Sequence, residues 1–204
     1  MKDILKGELV RLCAVDAEEL ARAYAKWTRD SELTRLFDAR ATRLHSAKSI
    51  KEFFEKEIEE ESPAHHFFTI RSLADNRLLG DINLDVINWG ARDSFLGIGI
   101  CDRADWSKGY GTDAMKVILR IAFTEVNLRR VTLSVFEYNP RAICCYEKAG
   151  FQHEGRVRGA LLRDGKRWDI LYMGILYNDW MEKNHEQTTA SRTASFPRPQ
   201  PAPG

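Results

Sequence analysis

Two glycines between a strand-like run and a long amphipathic helix constrain this chain more than any other feature. Asp105-Trp106-Ser107-Lys108-Gly109-Tyr110-Gly111-Thr112-Asp113-Ala114 follows Phe95 to Cys101, which reads as a strand. It opens a helical pattern from Thr112 to Val126, with Met115, Ile118, Leu119, Ala122 and Phe123 on one face. Glycines at such a junction allow a sharp turn with several backbone N–H groups pointing one way. Those amides, with the positive end of the helix dipole, make an anion site suited to phosphate. A long helix after a strand also calls for a sheet to receive its apolar face.

Other segments supply that sheet. Glu8 to Leu12 alternates as a first strand. Asp16 is placed to cap a helix through Lys26, a second short helix spans Glu32 to Phe37, and Ser46 starts a third over Lys48 to Glu60. His66 to Ser72 and Leu78 to Val86 form a hairpin about Ala74-Asp75-Asn76-Arg77. Val131 to Phe136 alternates strongly, Pro140 opens a helix ending at Ala149-Gly150, and Phe151 to Val157 pairs with Arg167 to Ile175. The order βααα-βββ-α-β-α-ββ predicts one α+β (mixed α/β) domain over residues 1–184. Residues 185–204 are rich in Pro, Ser and Thr without apolar periodicity, and read as a disordered tail.

Composition narrows the function classes. Lys+Arg number 31 against 30 for Asp+Glu, so the chain has no electrostatic footprint for nucleic acid. No apolar run approaches the roughly 20 residues of a membrane span, and the first residues lack a signal-peptide core. A cytoplasmic protein without nucleic-acid or membrane partners is expected. Cys13, Cys101, Cys144 and Cys145 form no C-x-x-C pair, and His45, His65, His66, His153 and His185 have no metal-ligand spacing. Reduced structural thiols and no metal site are expected.

Gly109 to Ala114 also fits G-x-G-x-x-G/A, the dinucleotide fingerprint, and Glu137 ends the next strand where a ribose-binding acid could stand. Yet Asp102 to Lys108 intervene between strand and glycines, and no second βαβ half follows. A P-loop is excluded because there is no G-K-S/T.

Lys108-Gly109-Tyr110-Gly111-Thr112 combines with Asn139-Pro140-Arg141-Ala142-Ile143-Cys144-Cys145-Tyr146-Glu147-Lys148-Ala149-Gly150-Phe151. Together they resemble the GNAT acetyltransferase superfamily, in the branch of ribosomal-protein N-terminal and spermidine acetyltransferases. Glu154-Gly155-Arg156, Arg163-Asp164-Gly165-Lys166 and Met173-Gly174 extend the resemblance, which covers roughly Gly7 to Met181. It implies a mostly antiparallel, splayed central sheet flanked by helices, with acetyl-CoA as cosubstrate. It further implies an N-acetyltransferase acting on a primary amine of a small molecule or peptide. A non-catalytic acyl-CoA-binding regulatory module is the alternative, and a homodimer is left open.

The resemblance also assigns residues. The pyrophosphate falls on Lys108, Gly109, Tyr110, Gly111 and Thr112. Pantetheine enters between the strand of Ile98, Ile100 and Cys101 and the Val131 strand. An N–H at Ile100 is implied for the oxyanion, Asn139 and Ala142 for cofactor contact, and Tyr146 as the acid for the departing sulfur. Asn139 is equally a helix cap on physical grounds. Trp106 stands where the family usually has Gln or Arg, so backbone amides should dominate that contact. Phe95 replaces the acid that many relatives carry at the start of the cofactor strand. Asp81, Asp85, Glu137 or a water relay remain as bases. At pH 7 a base matters little for an α-amine, about 1 kcal/mol, and much more for a lysine-like amine, about 4.6 kcal/mol. By the same resemblance Trp27, Asp30, Glu32, Arg35, Trp89 and Arg92 are acceptor-recognition candidates.

Overall fold

The computed structural model describes residues 3–59 and 62–194. Seven strands form one sheet in the order β1-β2-β3-β4-β5-β7-β6. They are β1 (Val10–Cys13), β2 (His65–Ser72), β3 (Leu78–Asn88), β4 (Asp93–Ile100), β5 (Arg130–Phe136), β6 (Gln152–Arg163) and β7 (Lys166–Leu176). Every neighbouring pair is antiparallel except β4 and β5, which are parallel. Three helices precede the second strand: α1 (Ala17–Trp27), α2 (Ser31–Phe37) and α3 (Ala47–Glu59). α4 (Tyr110–Thr124) connects β4 to β5, α5 (Pro140–Ala149) follows β5, and α6 (Tyr177–Ala194) follows β7.

The sheet separates two apolar clusters. β3 turns Ile82 and Leu84 toward α4, whose Met115, Ile118, Leu119 and Ala122 have no exposed surface. Each such large side chain contributes about 1.5–3 kcal/mol on burial, which anchors α4 and therefore its N-terminus. On the opposite face Leu20, Trp27, Leu33, Ile50 and Phe54 hold α1, α2 and α3 together, with Cys101 below them.

The first helix forms as its cap predicts: the Asp16 carboxylate accepts from Glu19 N–H at 2.9 Å. Asp113, in the first turn of α4, has a less local task. Its carboxylate accepts the N–H groups of Glu8, Leu9 and Val10 at 3.1, 2.7 and 3.0 Å. That charge would otherwise sit at the positive end of α4, and it is spent on fixing the chain entering β1.

A helix runs across the position 184/185, where the tail was expected to begin. α6, absent from the sequence reading, begins at Tyr177 and runs through Ala194, so the non-periodic tail is helical over its first part. Tyr177 and Trp180 lie one helical turn apart and both pack on Phe123, at ring distances of 5.9 and 5.3 Å. Lys183 Nζ donates to the carbonyls of Glu147 and Lys148 at the end of α5. Once the first turns are docked, each further residue adds a helical bond without a new nucleation cost. Ser195–Gly204, the remainder of that segment, lie outside the described residues. No helix is long and apolar enough to cross a membrane among the described residues.

Candidate active site

The pairing of β4 with β5 covers only Asp93↔Arg130, Ser94↔Val131 and Phe95↔Thr132. Beyond Phe95 the two strands part, while β4 stays paired with β3 through Ile100. A cleft of about 730 Å³ opens at the split. Its lining includes Ile98 and Ile100 of β4, Val135 of β5, the 106–112 loop and the first turns of α5.

The register determines which backbone groups face this cleft. Gly80 lies opposite Ile100, and Cys101 N–H donates to Leu79 O at 3.0 Å. Gly80 and Ile100 are therefore a non-hydrogen-bonded pair, so Ile100 turns its own N–H and C=O away from β3. The same alternation applies at Ile98. The Ile100 carbonyl is taken by Trp106, whose indole Nε1 donates to it at 2.6 Å. The Ile100 N–H is left pointing toward the split.

The loop before α4 turns sharply at its glycine. Gly109 caps α4 with φ +89°, left-handed backbone that side chains rarely adopt. Asp113 N–H to Gly109 O is the first helical bond, at 3.0 Å. The N–H groups of Tyr110, Gly111 and Thr112 precede it and have no intrahelical partner. Facing them, Asn139 caps α5 by accepting from Ala142 N–H at 3.2 Å. The Arg141 guanidinium lies 3.5 Å from the Trp106 ring centroid. Burial lowers its pKa from the usual arginine value, so this cation is partly desolvated beside the amides. These unsatisfied donors and the adjoining cation fit the pyrophosphate of a coenzyme A.

Tyr146 lines the cleft from α5 and is 9% exposed. Burial, reinforced by Cys145, raises its phenol pKa well above the ordinary value, which keeps it protonated. Gly109, Tyr110, Gly111, Thr112, Asn139 and Ala142 also line the cleft, as do Ile98 and Ile100. Two residues named with them in the sequence do not. Cys101 is 2% exposed inside the α1–α3 cluster, and its N–H serves the β3 ladder. Lys108 is exposed and turns its Nζ toward Asp105, 3.9 Å away. Strand alternation and a left-handed Ser107 at φ +61° re-aim these side chains, which a linear motif does not reveal.

Across the sheet, Asp81, Asn83 and Asp85 line up on the α1 side of β3, opposite Gly99, Gly97 and Phe95. A side chain on either glycine would have to displace a neighbouring side chain. A Cβ on Gly97 would lie 2.4 Å from Asn83 Oδ1, and one on Gly99 would lie 2.2 Å from the Phe37 ring. The Tyr24 hydroxyl donates to Asp81 Oδ1 at 2.5 Å. Asp85 is occupied by Asn83 and by His65. Glu137 is held by Arg156 and by Asp169 N–H. Of the three carboxylates singled out as bases, Asp81 is the one that lines the cleft. The sequence reading had not found its partner Tyr24, which lies 57 residues away on a different element.

A seven-stranded sheet split between two parallel strands, with a glycine-capped helix at the split, defines the class of acyl-CoA-dependent transferases. Residues 8–152 match the model of the acetyltransferase (GNAT) domain family, and the chain belongs to that family. It is an N-acetyltransferase that uses acetyl-CoA. The chain is 32% identical over 133 residues to the "Probable N-acetyltransferase YjcK" of Bacillus subtilis, covering 65% of this chain and 71% of that one. It is 27% identical over 139 residues to the spermidine N(1)-acetyltransferase of Vibrio cholerae, covering 68% and 78%. Among solved structures, the Vibrio cholerae spermidine N-acetyltransferase in complex with CoA and spermine superposes with a TM-score of 0.73. That match has 23% identity and covers 84% of this chain and 98% of that one.

Proposed function

We propose that the chain moves the acetyl group of acetyl-CoA to a primary amine by direct attack on the thioester inside the β4–β5 split. The observation that carries this reading is the loss of β4–β5 pairing after Phe95, which leaves the Ile100 N–H facing the gap. In this reading Tyr110, Gly111 and Thr112 hold the pyrophosphate through their N–H groups, and Arg141 adds charge. Ile98 and Ile100 offer strand backbone to the pantetheine arm. The Ile100 N–H receives the developing oxyanion, worth up to about 3–4 kcal/mol in comparable sites. Tyr146 gives its proton to the departing sulfur.

The test is a thiol-release assay with acetyl-CoA and a panel of primary amines, paired with mass spectrometry of the acceptor. Acetyl-CoA-dependent addition of one acetyl group per thiol released is the expected result. Thermal stabilisation by NAD and none by acetyl-CoA would overturn the cofactor placement.

A further inference from the structure

We infer that Asp81, held by Tyr24, is the base that deprotonates the acceptor, and that this half of the cleft selects an amine with one ammonium and an apolar flank. This rests on the cleft reading above and concerns the face of β4 turned toward α1 and α2.

The argument begins with charge. Among the described residues lining the cleft, the carboxylates are Asp81 and Asp105. Asp105 is fully committed, accepting both terminal nitrogens of Arg77 at 2.5 and 2.9 Å. Carboxylates outside the lining are likewise committed: Asp30 and Glu32 to Arg103, Asp164 to Arg35, Asp169 to Arg156. Among the described residues Asp81 has no cationic partner, and its described hydrogen bond comes from the neutral Tyr24 hydroxyl. A polyamine needs a separate anion for each ammonium it desolvates. This pocket supplies one.

Much of the surface on the α2 side is apolar. Leu33, Leu36 and Phe37 of α2, with Phe95 of β4, line the cleft beside Asp81. β4 offers no acid here, with Phe95, Gly97 and Gly99 on this face, and the carboxylate comes from β3, opposite Gly99. An ammonium seated on Asp81 with a hydrocarbon or aromatic body against Phe37 and Phe95 satisfies both features.

The surroundings suit proton transfer. Burial raises the Asp81 pKa to about 6, and the Tyr24 hydrogen bond opposes that rise. The other titratable groups beside it are the Tyr24 phenol and the Cys101 thiol. Both are pushed up by burial and then by the Asp81 charge, so both are neutral at pH 7. From β2 its register partner is Thr69, whose hydroxyl is turned to the carbonyls of Cys13 and Ala14. Asp81 thus removes one proton from R–NH₃⁺, directly or through one water. The free amine forms the N–C bond and the C–S bond breaks. Tyr146 protonates the sulfur, and the second nitrogen proton restores its phenol. The proton on Asp81 returns to solvent.

The test measures kcat/KM for 2-phenylethylamine and for spermidine between pH 5 and 10, in wild type, Asp81→Asn and Tyr24→Phe. Wild type should prefer 2-phenylethylamine at least tenfold, with an acid limb near pH 6 followed by a plateau. Asp81→Asn should lose about 100-fold at pH 7. Its rate should instead climb tenfold per pH unit toward the amine's own pKa. Tyr24→Phe should shift the acid limb upward, because it removes the bond that favours the carboxylate. If Asp81→Asn does not fold, that shift alone carries the base assignment. A preference for spermidine overturns the acceptor class. A profile scaled down without change of shape overturns the base. Acetyl-CoA binding by thermal shift, with neither amine turned over, also overturns the inference, whereas loss of acetyl-CoA binding in wild type overturns the cleft reading itself.

Discussion

The indole of Trp106 closes the exposed edge of β4 by donating to the carbonyl of Ile100, the residue whose N–H faces the β4–β5 split. The same ring stacks under Arg141 of α5. One side chain thus joins the edge of β4, the loop before α4 and the cation of α5. Replacing Trp106 by Phe keeps the stack and removes the bond. The expected outcome is a rise of about 3–10-fold in KM for acetyl-CoA, with kcat changed less, since the lost bond is worth about 1 kcal/mol. Initial-rate kinetics at varied acetyl-CoA decide it. An unchanged KM would show that β4 holds its edge without the indole.

Tyr146→Phe keeps the ring against Phe151, 6.2 Å away, and deletes only the hydroxyl. A proton donor of this kind is worth about 10²–10⁴ in rate. The expected result is that loss in kcat, with acetyl-CoA affinity preserved. Unchanged single-turnover chemistry would remove Tyr146 from the acid role.

Gly109→Ala places a Cβ at φ +89° and 3.2 Å from Leu9 Cδ1. Left-handed backbone costs a non-glycine residue about 1–2 kcal/mol. The strain falls on the turn that aims the amides of Tyr110, Gly111 and Thr112. A weaker acetyl-CoA affinity, by about tenfold, should accompany the lowered melting temperature. Isothermal titration with CoA measures the first and calorimetry the second. A stability loss without an affinity loss would move the phosphates off this loop.

Asp113→Ala leaves three backbone N–H groups without their acceptor. Bonds to a charged group contribute about 1.5–3 kcal/mol each before relaxation. A net loss of about 3–5 kcal/mol is expected because water reaches the partly buried pair at Glu8 and Leu9. Urea unfolding reads it directly, and a loss under 1 kcal/mol would mean that β1 docks without this clamp.

Asp81 makes stability depend on pH in a particular direction. Its pKa is raised to about 6 from 3.8, so folding favours the protonated carboxyl. Its contribution is fully present below about pH 4 and is lost as pH rises through about 6. Asparagine still accepts the Tyr24 hydrogen bond and carries no charge. The melting temperature of Asp81→Asn relative to wild type should therefore rise between pH 4 and 6 and stay level above. A constant difference across that range would show that burial does not shift this carboxylate.

Local signals were the legible part of this fold. Asp16 as a cap, Pro140 at the start of α5, the turn before Leu78 and the apolar stripe of α4 depend on residues within a few positions of one another. α6 escaped because its docking depends on Tyr177 and Trp180 meeting Phe123, more than 50 residues earlier, rather than on a strong periodicity of its own. Along the cleft, the turn at Gly109, the cap at Asn139 and the helix carrying Tyr146 were readable because a turn, a cap and a helix are local properties. The side-chain directions of Cys101 and Lys108 were not legible, because adjacency in a motif does not say which way a side chain points.

By itself the sequence determined where the first five helices lie, where the chain can turn, and that a cradle of amides opens α4. Those depend on backbone sterics and short-range hydrogen bonds. Only the tertiary structure decided that β4 and β5 separate after Phe95 and that Trp106 caps Ile100. It alone left Asp81, rather than Asp85 or Glu137, in the cleft without a counter-charge among the described residues. Burial, strand register and ion pairing arise between segments distant in the chain, so they exist only once the two faces of the sheet have been filled.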